Sequence, residues 1–99
     1  MAKREDFLAE IIAERTARNP DFPGLVEAAA RRRELLRELA GQREKLGLSQ
    51  TAVAARMGTS QSAVARLEAG DIDAKLSTVE RFAAVLGQKV EWRLAKARK

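Results

Sequence analysis

Residues 48–70 read Leu48-Ser49-Gln50-Thr51-Ala52-Val53-Ala54-Ala55-Arg56-Met57-Gly58-Thr59-Ser60-Gln61-Ser62-Ala63-Val64-Ala65-Arg66-Leu67-Glu68-Ala69-Gly70. Ser49 and Ser60 each precede an apolar-periodic run, and a serine hydroxyl caps the first free amides of a helix. Gly58 and Gly70 close the two runs, where the chain must turn left-handed. The stretch predicts two short helices, Gln50–Met57 and Gln61–Ala69, joined by a tight turn at Gly58. Helices that cross closely need a small residue beneath the crossing, and Ala54 stands there. Val53, Met57, Val64 and Leu67 supply the inner faces. The outward face of the second helix displays Gln61, Ser62, Ala65 and Arg66.

Two short helices with a tight turn form the helix-turn-helix unit. Glutamine bonds adenine bidentately in the major groove, and arginine does the same to guanine. Small Ser62 and Ala65 let the helix approach base edges. Amides at the two helix starts, with Ser49, Gln50 and Ser60, suit phosphate.

The chain reads outward from this unit in both directions. Upstream, an apolar stripe of Leu25, Ala28, Ala29, Leu35, Leu36, Leu39 and Leu46 predicts a helix over about 25–46. Asn19-Pro20-Asp21-Phe22-Pro23-Gly24 breaks the chain before it. Before the break, Phe7, Leu8, Ile11 and Ile12 fall on one helical stripe. That stripe either packs on the domain or meets another protein chain. Arg31, Arg32 and Arg33 are read as a solvated helix face, because Glu27, Glu34 and Glu38 lie at pairing distance along the helix. Downstream, Asp71–Leu76 reads as a polar loop, and Ser77 as the cap of a helix Thr78–Leu86 that faces Val79, Phe82, Ala83 and Leu86 inward. Gly87 ends it. Lys89–Leu94 then alternates, with Val90, Trp92 and Leu94 on one face, which is a strand signal. A lone strand needs a partner for its backbone groups. The expectation is pairing with its copy across a homodimer. Three regions result: an accessory helix in 1–20, a helix-turn-helix domain in 25–87, and a strand with a basic tail in 88–99.

Composition narrows the function classes. The chain has 99 residues and a net charge of +5, with no cysteine and no histidine. Disulfides and thiolate chemistry are therefore excluded, and the commonest general base and metal ligand is missing. No glycine-rich phosphate loop and no paired carboxylates stand out, so no enzyme, cofactor or metal site is expected. No apolar run reaches a membrane span and no signal-peptide core is present, which points to a cytoplasmic protein. Residues 47–86 carry four basic and four acidic side chains, whereas 87–99 carry five and one. Nearly all the excess charge thus sits in the tail, and the case for DNA rests on pattern.

The 48–70 segment resembles the Cro/CI-like, or XRE, family of helix-turn-helix regulators over about residues 39–87. The resemblance lies in the leading glutamine, small alanine, turn glycine, Ser-Gln-Ser start and closing Glu-x-Gly. It implies an all-α core of about five helices. It places Gln50 on phosphate, and Gln61, Ser62 and Arg66 on bases. It also implies an internal ion pair between Arg43 and Glu68. Two departures stand out. Gln42 replaces an apolar residue of many members, and either loosens the core or faces solvent. The acidic Asp71–Asp73 loop moves the expected backbone contacts to Lys75, Ser77 and Thr78.

The flanks resemble antitoxins of the HigA and HipB type. That resemblance implies a homodimer on a palindromic operator, repression of its own operon, and capture of a co-encoded toxin, RelE-like in kind; the Phe7, Leu8, Ile11 and Ile12 stripe is the candidate surface for it if it does not pack on the domain. The alternative is a free-standing XRE-type repressor with no toxin. An adaptor that has kept the fold and lost DNA binding is a third class.

Overall fold

The structure is a computed structural model, and it describes residues 4–18, 20–70 and 73–96, without the side chains of 4–7 and of Phe22. Among the described residues there are five helices and no strand. They are α1 (Arg4–Arg18), α2 (Phe22–Lys45), α3 (Gln50–Met57), α4 (Gln61–Ala69) and α5 (Leu76–Val85). The chain divides into two compact units. The first takes in α1 and the start of α2, and the second is Arg31–Leu94. The division falls within α2 rather than at the break around Pro20. The break itself is brief. Pro20 and Asp21 form a turn, and α2 begins at Phe22, three residues before Leu25. Pro23 sits in its first turn, where a missing amide costs nothing.

In the second unit one apolar cluster joins four helices. Leu36 and Leu39 come from α2, Val53, Ala54 and Met57 from α3, Val64 and Leu67 from α4, and Val79, Phe82 and Ala83 from α5, with Leu86 just beyond it. Phe82, Leu67, Val53 and Val64 are the largest side chains fully out of water. Each such side chain contributes about 1.5–3 kcal/mol relative to exposure. Only part of the expected α2 stripe takes part. Leu35 is half-buried, while Leu25 and Leu46 are more than half exposed. Gln42 is half-buried and lines a cleft of about 250 Å³ with Leu35, Leu39 and Val90, so it neither fills the core nor stands free in solvent.

The caps follow the sequence at α3 and α4. Ser49 Oγ accepts from the Ala52 amide at 3.0 Å, and Ser60 Oγ from the Ala63 amide at 3.1 Å. Gly58 has φ 73° and its amide donates to the Ala54 and Ala55 carbonyls, so the turn depends on a residue without a Cβ. At α5 the expectation fails. The helix starts at Leu76, its N-cap is Lys75, and no side chain caps it. Ser77 lies inside the helix. The Lys75 carbonyl already accepts from the Thr78 and Val79 amides, so burial of Val79, Phe82 and Ala83 sets the start without a hydroxyl cap.

The C-terminal segment requires the largest correction. Residues 88–96 form neither a strand nor a further helix, while the all-helical expectation holds for the described residues. Alternation is a property of one strand, but a ladder needs a second, and the described residues contain none. Val90, Trp92 and Leu94 do not act as one face. Val90 is half-buried against the core, Trp92 is 47% exposed, and Leu94 is fully exposed. Trp92 Nε1 donates to Glu80 Oε2 on α5 at 3.2 Å, so the indole is held within its own chain. The strand pairing across a dimer finds no support in the structure.

Candidate nucleic-acid interface

Helix α3 packs on both α4 and α5, and its buried face presents Val53, Ala54 and Met57. The buried face of α4 presents Val64 and Leu67. With these turned inward, Gln61, Ser62 and Arg66 are exposed on α4, and Ala65 is half-buried beside them. The first two start the helix, and Arg66 lies in its last turn. Arg66 is a long side chain whose charge stays in solvent.

A chain of hydrogen bonds runs beneath this face. Arg43 on α2 grips Glu68 on α4 by two bonds, Nε to Oε2 at 2.6 Å and a terminal nitrogen to Oε1 at 3.0 Å. The other terminal nitrogen donates to the Leu48 carbonyl at 2.9 Å. The two side chains are only 12% and 8% exposed. Glu68 Oε1 also accepts from Gln50 Nε2 at 2.9 Å, and Gln50 Oε1 accepts from Gln61 Nε2 at 2.6 Å. The direction of the chain follows from chemistry. An ionised carboxylate only accepts, so Gln50 must turn its amide nitrogen to Glu68. Its oxygen then faces Gln61, which must donate. Gln61 keeps one N–H and its carbonyl oxygen for a partner outside, the donor and acceptor pair that adenine complements. No buried side-chain polar atom among the described residues lacks a partner.

Electrostatics reinforce the pair. Burial raises the Glu68 pKa, but hydrogen bonds from Arg43 and Gln50 and the Arg43 charge lower it by more, so it ends below the usual glutamate value. The hydrogen bond to Glu68 raises the Arg43 pKa further, against the opposing effect of burial. Both groups are therefore ionised at neutral pH.

The remaining residues singled out in the sequence are spread more widely. Ser49 and Ser60 are occupied as caps, and Ser60 Oγ also lies 3.2 Å from Ser62 Oγ. Lys75 and Ser77 are exposed and Thr78 is half-buried at the start of α5. Asp71 and Ile72 lie outside the described residues, and Asp73 pairs with Arg32 at 3.7 Å. Both partners are at least half exposed, so that pair contributes little. Leu8 is exposed on α1, Ile11 and Ile12 are half-buried, and none of the three belongs to the core. The Phe7 side chain is outside the described residues.

Sequence reasoning missed the relay from Glu68 through Gln50 to Gln61. Its signal was present: glutamine holds the first position of both helices, Gln50 and Gln61.

The profile of the helix-turn-helix family matches residues 39–93, which spans all of α3, α4 and α5. The chain belongs to the helix-turn-helix family. Its turn, caps and Arg43–Glu68 brace are of the XRE type that the 48–70 segment resembles. The chain is similar to antitoxin HigA1 of two Mycobacterium tuberculosis strains, CDC 1551 / Oshkosh and ATCC 25618 / H37Rv. Identity to each is 41% over 85 residues, which take in 86% of this chain and 57% of the relative. This helix-turn-helix chain thus spans little more than half the length of the curated relatives it matches. No solved structure gives a significant match.

Proposed function

We propose that this chain is a sequence-specific DNA-binding antitoxin that represses its own operon and neutralises a co-encoded protein toxin. The observation that carries the DNA half is the exposed start of α4. There Gln61 is oriented by Gln50 and Glu68, with Ser62 beside it and Arg66 further along the helix. Gln61, Ser62, Ala65 and Arg66 read base edges in the major groove. Gln50, the amides behind Ser49 and Ser60, and Lys75, Ser77 and Thr78 hold the backbone. Two copies, acting as a homodimer, place two such helices about one DNA turn apart on a palindromic operator, roughly 34–36 Å.

The antitoxin half is supported by the 41% identity to proteins named antitoxin HigA1. The partner is a toxin encoded beside this chain, RelE-like in kind, in the cytoplasm. Phe7, Leu8, Ile11 and Ile12 of α1 form the surface that takes it. The chain has no catalytic role in this reading.

Co-expression with the neighbouring gene product is the test. Growth should recover when this chain is present, and the two proteins should purify together. A neighbour that is harmless alone, or that never co-purifies, leaves a DNA-binding repressor without a toxin.

A further inference from the structure

Between the turn and α5 lies a second cleft, of about 170 Å³. Met57 and Leu67 line it as buried apolar residues, and Thr59, Ala63, Thr78 and Arg81 line it with them. Arg81 is exposed, and among the described residues no hydrogen bond or ion pair holds its guanidinium. The neighbouring carboxylate, Glu80, accepts from the Trp92 indole through Oε2. Among the described residues the Arg81 guanidinium thus stands at the edge of this cleft without an ion-pair partner.

Its position gives the charge a use. Lys75 is the N-cap of α5, and Thr78 and Arg81 follow it at steps of three, so successive members are neighbours along the helix surface. Ala63, also on this cleft, is in the first turn of α4, one residue after Ser62 and two after Gln61. Arg81 therefore shares a cleft with the first turn of α4, the turn that carries Gln61 and Ser62. When α4 lies in a major groove, one phosphate strand passes along its flank. Residues 47–86 hold four cations, Arg56, Arg66, Lys75 and Arg81. Arg66 reads bases and Lys75 already holds backbone, and of the other two only Arg81 borders the cleft.

We infer that Arg81, with the Thr78 hydroxyl beside it, holds a phosphate of the DNA backbone at the rim of this cleft. The inference rests on the DNA-reading role proposed above. It also accounts for an acidic loop where backbone contacts would otherwise lie: the α5 flank supplies the charge that Asp73 does not.

A phosphate contact is independent of sequence, so the probe is a labelled random-sequence duplex. Anisotropy titrations of the full chain, Arg81→Ala and Arg81→Lys are run across salt concentration. Each lost phosphate contact flattens the plot of log affinity against log salt by about 0.9 per protomer. The deficit of Arg81→Ala should therefore shrink about three- to fourfold per protomer between about 50 and 200 mM salt. Arg81→Lys should keep most of the slope, while thermal melts and sedimentation match the parent. An Arg81→Ala slope equal to the parent's overturns the inference, as does a variant whose main effect is on self-association. A parent chain with no salt-dependent binding to any duplex removes the DNA reading itself, and Arg81 with it.

Discussion

Arg43 and Glu68 lie 25 residues apart in sequence and meet side by side, with bonds of 2.6 and 3.0 Å between guanidinium and carboxylate. Through this contact α2 fixes α4. It also fixes the carboxylate that orients Gln50, and through Gln50 the exposed Gln61. One pair thus serves both the fold and the exposed start of α4.

Removing one partner should cost more than the pair contributes, because the other charge is left nearly buried and alone. Arg43→Met and Glu68→Gln are each expected to lose about 3 kcal/mol, the lower end for a buried pair, since both side chains retain some contact with water. The double variant should lose clearly less than the two single losses added. Thermal or urea melts of the three variants give the result.

The same pair makes stability depend on acid. The native pKa of Glu68 is lowered, so the unfolded chain takes up this proton first as pH falls. The stabilisation is fully present above the unfolded value of about 4.3 and is lost as pH drops through the lower native value. Other carboxylates titrate in the same range, so the comparison needed is the parent against Glu68→Gln. The gap in stability between them should be constant from neutral pH down to about 5 and should narrow below about 4. A gap that stays constant into the acid range would contradict this.

Gly70 closes α4 at φ 71°, and a Cβ built there would stand 2.8 Å from Cγ of Arg33. Gly58 has the same backbone but open space around it. Gly58→Ala should cost the left-handed penalty alone, roughly 1–2 kcal/mol. Gly70→Ala should cost more, because the Arg33 stem must also move. Adding Arg33→Ala to Gly70→Ala should bring its loss back towards that of Gly58→Ala. Equal losses for the two single variants would show that the Arg33 stem yields freely.

How much of this was legible in the sequence differs from element to element. Helices α3 and α4 were readable to the residue, because Ser49, Gly58, Ser60 and Gly70 are local signals that need no tertiary context. The α5 start was not, because Lys75 precedes the helix with no capping side chain, and packing of Val79 and Phe82 prevailed over the nearby Ser77. The 88–96 segment misled for a related reason. Its alternation of Val90, Trp92 and Leu94 is a one-dimensional pattern, while the structure splits them between the core, Glu80 and solvent. At the reading face the exposed residues were foreseeable from period. Of the relay Glu68–Gln50–Gln61 only the paired first-position glutamines were visible, since the contacts themselves depend on how the helices pack.

The described core cluster runs from Leu36 to Leu86 and lies within the second unit. A chain lacking residues 1–20 should therefore fold cooperatively, keep its DNA affinity, and fail to capture the toxin. Binding assays with DNA and with the co-expressed neighbour separate these outcomes. A truncated chain that unfolds would assign Leu8, Ile11 and Ile12 to holding the protein together.

The central claim is that α4 reads a specific sequence. The most direct measurement is binding of the full chain, Gln61→Ala and Arg66→Ala to the duplex upstream of its own coding region and to a random duplex, at one fixed salt concentration. The parent should prefer its own upstream duplex, and each variant should lose about 1–3 kcal/mol of that preference, the value of one good bidentate base contact. Equal binding of the parent to both duplexes, or full preference retained by both variants, would contradict the account.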